Sequence, residues 1–365
     1  VNYDFKNKYL FEFNSRYDGS SKFDVNNRWK YFYGFSGGWR VSEEKFMKQI
    51  KFISDLKLRA SLGNVGNQSG IGLYDYITLL NMGYSTGATS SGYPILGSSP
   101  AVRVTPGNLV ATDRTWERVQ TINYGVDFGV LENKLKGSAE YFVKNNNNML
   151  IARTYSAVLG AYDPSNGKNT APAGNNGELE TNGWEFNLNW SDKIGNLTYH
   201  IGGNLSTYQT DLKKFGGQTI ISSANRGLNS AVEGYPINTY FGLVYNGRIQ
   251  TQAQLDEYRK YITGNNIGMP SGVATAQANS RLALGDNMFK DVNNDGKITF
   301  PEDAVNLGSS DPKMTYSFNG GFEWKGIDFS FIFQGVGKRT IIRDGNWRIP
   351  AQVIYQAQNG AFVDK

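Results

Sequence analysis

Apolar and polar side chains alternate strictly along several stretches of the chain. In Tyr31–Val41 the residues Tyr31, Tyr33, Phe35, Gly37, Trp39 and Val41 share one face of an extended strand, and Phe32, Gly34, Ser36, Gly38 and Arg40 share the other. Ile122, Tyr124, Val126, Phe128 and Val130 alternate with Asn123, Gly125, Asp127 and Gly129. The same rhythm runs through Trp184–Trp190, Leu197–Leu205, Tyr316–Trp324 and Ile327–Phe333. Period two marks strands with two unlike faces. In a soluble sandwich the wet face often carries Lys and Glu. Here it favours Asn, Gly, Ser and Thr, while aromatics gather toward the ends of the apolar face. That combination suits lipid on one side and a watery lumen on the other. The pattern therefore predicts an all-β chain made of transmembrane antiparallel β-barrel strands.

The pattern places about ten strands at residues 1–5, 9–17, 30–41, 54–65, 116–131, 135–146, 178–190, 197–208, 312–324 and 327–337. The links between them alternate between short (Lys6–Lys8, Ser42–Ile53, Glu132–Lys134, Ser191–Asn196, Lys325–Gly326) and long (Asp18–Trp29, Gly66–Thr115, Asn147–Gly177, Gln209–Asp311). Asp18–Trp29 and Ser42–Ile53 are equal in length, so that one pair is neutral. Short turns on one side and long extracellular loops on the other are the habit of outer-membrane barrels.

Composition narrows this further. No run approaches the 18 apolar residues of a membrane helix. The opening VNYDFKNKYLFEF lacks the regions of a signal peptide, so the start is expected to be either cytosolic or internal to a longer precursor. Cysteine is absent, which forbids disulfides and thiolate chemistry. The net charge of +5 is spread among acids rather than gathered in a stripe, and no nucleic acid partner is expected.

One stretch carries metal-ligand spacing. In DVNNDGKITFPE, Asp291, Asn293 and Asp295 stand at loop positions 1, 3 and 5, Gly296 at the turn, the Lys297 carbonyl at 7, Thr299 at 9 and Glu302 at 12. This is the order in which an EF-hand loop wraps Ca2+. The alternative is a solvated turn of Asn, Asp and Gly without metal. A calcium sensor needs a helix on either side, whereas Gly285 upstream and Gly308 and Pro312 downstream oppose one. The expectation is a structural Ca2+ brace in the longest external loop, where ordering backbone costs most.

The run LKLRASLGNVGNQ (Leu56–Gln68), with the segments Trp116–Leu150, Glu233–Gln250 and Asp291–Arg339 in the same order, resembles SusC/RagA-type TonB-dependent transporters of the Bacteroidota over nearly the whole chain. That resemblance implies a 22-stranded outer-membrane barrel with a plugged lumen, of which residues 1–365 would be one partial barrel domain without the N-terminal plug and last strands. It also implies active import of oligosaccharides or peptides, energised by TonB-ExbB-ExbD through the missing N-terminal part. A SusD-like surface lipoprotein and outer-membrane lipids would be the partners. The alternative is a passive porin or a surface ligand-binding adhesin. An enzyme is not expected, since neither paired carboxylates in a recognisable setting nor a nucleophile elbow is present.

The remaining candidates are weaker. His200, the single histidine, rules out a multi-histidine metal site and reads as a polar lumen residue between Thr198 and Gly202. Gly63–Gly72 lacks a following helix and the Rossmann spacing, and Asn145–Asn148 reads as a polar strand exit. The long loops hold Tyr74, Tyr76, Tyr84, Tyr93, Tyr155, Tyr162 and Trp347 beside Asp163, Asn166 and Asn169. Of these, Tyr155, Tyr162, Asp163, Asn166 and Trp347 are the candidate substrate contacts, rings for stacking and amides or acids for hydroxyls; the alternative is packing within their own loops. Ser42–Asp55 opens like a helix N-terminus, but Lys45 stands where a capping box wants Glu or Gln. A short amphipathic turn at the barrel's lower rim is expected there, with no function attached.

Overall fold

The computed structural model describes residues 1–84, 95–96, 99–100, 102–106, 110–151, 162–163, 168–169, 173–221, 230–262 and 282–341. Ten strands form one sheet in which each pairs with its neighbours in sequence. They are β1 (Asn2–Phe5), β2 (Tyr9–Gly19), β3 (Trp29–Arg40), β4 (Ile53–Asn67), β5 (Glu117–Val130), β6 (Leu135–Ile151), β7 (Gly174–Ile194), β8 (Leu197–Phe215), β9 (Thr315–Trp324) and β10 (Ile327–Val336). From β1 to β9 the neighbours pair in antiparallel ladders, as a meander with hairpin turns requires.

The short turns explain themselves locally. Lys6 and Asn7 (φ 57° and 55°), and Lys325 and Gly326 (φ 47° and 87°), lie in the left-handed region. That is the backbone a two-residue hairpin needs to match strand twist.

Strands β6, β7 and β8 run beyond the ranges read from the sequence. Asn145, Asn146 and Asn147 still pair with Glu180, Leu179 and Glu178 on one side and with Gln120, Val119 and Arg118 on the other. The polar run is thus paired strand rather than an exit, broken only by an irregularity between Asn147 and Met149, where Asn148 adopts φ 59°. The apolar alternation stops where the strands leave the hydrocarbon, but the backbone hydrogen bonds continue, so periodicity under-measures the ladder. Between β3 and β4 the chain forms two 3-10 turns, Val41–Glu43 and Met47–Gln49, a short turn as expected, and the last residues of Ser42–Asp55 already belong to β4.

The chain divides into two compact units. The first, Val1–Thr219 with Ala231–Tyr235 and Met314–Gly335, contains nearly all of the ten-stranded sheet. Among its described residues a small cluster of buried apolar side chains is formed by Phe23, Phe32, Ile71 and Trp116. The second unit takes in Pro236–Lys313. Two short ladders, Thr239–Gly242 with Val305–Ser309 and Tyr245–Arg248 with Asn287–Phe289, flank the helix α1 (Gln252–Tyr258). Thr251 and Gln254 close a capping box at the start of α1. Ile249, Leu255, Tyr258, Ile262 and Ile298 pack as its core.

Candidate functional site

The sheet's two faces follow from its register. On β2 and β3, Tyr9, Phe13 and Tyr17 sit opposite Trp39, Phe35 and Tyr31. Their rings form a column, with Phe13–Phe35 centroids 4.9 Å apart and Tyr17–Trp29 5.2 Å apart. Trp184 stacks on Phe186 at 5.9 Å, and Phe318 meets Phe331 at 5.6 Å. All of these but the half-buried Phe13 and Phe331 are exposed, which leaves a broad apolar surface. A patch of this extent on a soluble body marks an interaction site or a membrane. From Tyr9 to Tyr17 the strand covers roughly 26 Å at about 3.3 Å per residue. Tilted by about 40°, that length rises about 20 Å, most of an apolar band about 25 Å tall with aromatics at both rims. At the short-turn end, Trp190 donates from Nε1 to Tyr199 Oη at 3.2 Å, and Lys325 lies 5.3 Å over the Trp324 ring.

The opposite face is polar. Arg59 on β4 bridges to Glu140 on β6 at 2.6 Å and to Asp127 on β5 at 3.3 Å, and Asn123 reaches Ser61 at 3.3 Å. The Thr181 and Thr210 hydroxyls lie 2.9 Å apart. His200 is opposite Gly321, where a Cβ would come within 2.7 Å of its Cε1. The imidazole thus lies over a glycine as part of the polar wall.

The acidic loop is built around a residue that its spacing did not single out. Asp303 is fully buried (0% exposed). Its Oδ1 accepts from the Val292 and Asn293 N–H groups at 2.7 and 3.3 Å, and its Oδ2 from the Thr299 N–H at 2.7 Å. Glu302, the expected twelfth ligand, is exposed. The turn from Thr299 to Asp303, closed by the Asp303 N–H on the Thr299 carbonyl at 3.0 Å, swings the later acid under the loop. Asp291 Oδ2 accepts from the Gly296 N–H at 2.8 Å, while its Oδ1 is buried without a partner. Asn293 and Asp295 each accept a backbone N–H at 2.9 and 2.8 Å. The donor chemistry is that of a hard cation's ligands, and the orphaned Asp291 oxygen fits one. The convergence is incomplete, because among the described residues no three His, Asp or Glu side chains gather closely enough to hold an ion.

Of the expected substrate contacts, Tyr155, Asn166 and Trp347 lie outside the described residues. Tyr162 and Asp163 form a two-residue strand paired with Asn169 and Lys168. Tyr74 is exposed, one residue before Asp75, which pairs with Arg114 at 3.1 Å.

An antiparallel meander, apolar outside and hydrophilic within, with girdled rims, defines a stretch of transmembrane β-barrel wall. Walls of this kind are found in outer-membrane TonB-dependent receptors, and it is to these, SusC among them, that the chain is similar. The chain is 28% identical over 92% of its length to TonB-dependent receptors P3 and P26 of Formosa agariphila, and 29% identical over 66% of its length to the TonB-dependent receptor SusC of Bacteroides thetaiotaomicron. It spans about a third or less of these relatives, covering 31%, 31% and 24% of them. Two structures of the RagAB peptide importer, in closed-closed and open-open states, share the fold with TM-scores of 0.64 and 0.66 at 21% and 22% identity. In each, this chain is covered to 92%, and it accounts for 32% and 31% of theirs. No family model matches the chain.

Proposed function

We propose that this chain is one partial barrel domain, residues 1–365, of an outer-membrane active importer that takes up oligosaccharides or peptides. The plug and the remaining strands belong to the rest of the protein, TonB-ExbB-ExbD supplies the energy and a SusD-like lipoprotein works at the surface. The observation that carries this reading is similarity to TonB-dependent receptors along 92% of the chain. The similarity to the RagAB peptide importer favours peptides, and the lipoprotein partner is what the resemblance to SusC implies. The wall acts as a scaffold: its lumen face gives a hydrated path, and its outer face holds that path in lipid. Uptake of labelled oligosaccharide and peptide libraries by cells carrying the full-length gene tests the reading. Uptake that stops when TonB is deleted supports it, and TonB-independent permeation favours the porin alternative.

Within the second unit, the proposed ligands of a structural Ca2+ are Asp291, Asn293, Asp295, the Lys297 carbonyl, Thr299 and Glu302, with Asp303 holding the loop backbone in place. The ion would supply charge neutralisation and cross-linking, with no catalytic step. Tyr155, Tyr162, Asp163, Asn166 and Trp347 remain the proposed substrate contacts, and alanine at Tyr155 and Tyr162 is expected to weaken binding.

A further inference from the structure

The turn between β3 and β4 has features that the transport reading does not use. Glu44 accepts from Tyr9 Oη at 2.7 Å and from Trp39 Nε1 at 3.3 Å, and pairs with Lys8 at 3.0 Å. Tyr9 and Trp39 face each other on the apolar side of the sheet. A carboxylate held by both rings therefore draws the start of the turn toward the outward, lipid-facing side of the wall. Immediately afterwards the chain presents Phe46, Ile50 and Phe52, which are 59%, 45% and 58% exposed. The exposed Lys45, Lys48 and Lys51 are interleaved with them. Of the two acids nearby, Glu44 is taken by Lys8, and Glu43 reaches Lys48 only at 3.6 Å between exposed groups. Apolar side chains left in water at this density are unfavourable. At the boundary of a bilayer the same side chains enter the acyl region while lysines reach the headgroups.

We infer that the turn from Val41 to Phe52 is a lipid anchor, which inserts Phe46, Ile50 and Phe52 into the leaflet at the short-turn end and binds anionic phospholipid headgroups through Lys45, Lys48 and Lys51. Two observations select this occupant. The turn is continuous with the apolar wall through Glu44, and its cations complement an anionic surface. Each lysine near such a surface strengthens attachment about fivefold. The inference needs only that the wall sits in a membrane and is independent of what the receptor imports.

The test uses the full-length receptor in vesicles of phosphatidylcholine alone and with three parts in ten phosphatidylglycerol. A fluorophore on Gln49→Cys is expected to be quenched by shallow spin-labelled lipid. Native mass spectrometry is expected to show phosphatidylglycerol enriched on the protein, and Lys45→Gln/Lys48→Gln/Lys51→Gln should cut that enrichment tenfold or more. Phe46→Ser/Phe52→Ser should relieve the quenching. Quenching of the native tryptophans by brominated acyl chains reports the wall separately. An unquenched turn beside an embedded wall overturns the inference, as does an enrichment unchanged in the lysine variant. TonB-independent uptake with the turn quenched and the enrichment lysine-dependent leaves the inference standing and sinks only the import reading.

Discussion

Asp303 anchors its loop through a single carboxylate. Three backbone N–H groups depend on it, and a buried donor left unpaired costs about 1–3 kcal/mol. Asp303→Ala is expected to destabilise the second unit by about 2–4 kcal/mol, the part of that range set by how much water refills the site. Hydrogen exchange of the Val292, Asn293 and Thr299 amides would show it directly, and unchanged protection would refute it. Glu44 is a different case, a half-buried carboxylate held by side chains rather than by backbone. Its carboxyl is held below the usual range, first by the Tyr9 hydroxyl, then by Lys8 and the Trp39 indole. A carboxyl lowered on folding stabilises above its unfolded pKa, and that contribution disappears as pH falls through the lower folded value. Wild type and Glu44→Gln should therefore differ in stability at neutral pH and converge in acid below the usual carboxylate range. Unfolding curves across that window check the sign.

At the scale of the strand, the decisive quantity is which face a side chain occupies. Phe186 lies in the apolar row of β7, and Asn187 in the lumen row, opposite Asn204. Phe186→Arg is expected to cost about 2–4 kcal/mol, as for cations on the lipid face of a barrel, whereas Asn187→Arg should be close to neutral. Denaturant titration of the full receptor in vesicles compares the two, and equal costs would mean that the faces are not solvated differently. This distinction was legible in the sequence, because period-two alternation is a direct record of two solvents. What it could not record is strand that is wet on both sides. Asn145–Asn147 carry no contrast between faces, so their pairing is visible only in the register with Glu178–Glu180 and Arg118–Gln120. The acidic loop shows a similar limit. Spacing found Asp291, Asn293 and Asp295, but Asp303 buries itself through a turn that no count along the chain reveals. The same is true of Glu44, whose partners Tyr9 and Trp39 come from two other elements of the sheet.

At the scale of the whole molecule, the two units are held by different forces. The first has a small buried cluster for its size and depends on ladder hydrogen bonds and on the surrounding lipid. The second keeps an ordinary water-excluding core around Ile249, Leu255 and Ile298, and ends beside the acidic loop, where the Ile298 N–H donates to the Tyr261 carbonyl at 2.9 Å. A cation bound only by the folded loop stabilises that unit by about 2.7 kcal/mol when present at a hundredfold excess over its Kd. Stripping the full receptor with EGTA should therefore raise hydrogen exchange around Asp291–Asp303 and α1 while leaving the amides of β2 to β8 unchanged, and adding Ca2+ back should restore the first set. The asymmetry follows because the wall gains nothing from the ion, whereas the loop's unpaired Asp291 oxygen gains a partner. Exchange unaffected by chelation in both units would remove calcium from this protein and leave the loop braced by the backbone hydrogen bonds of Asp303, Asp291, Asn293 and Asp295.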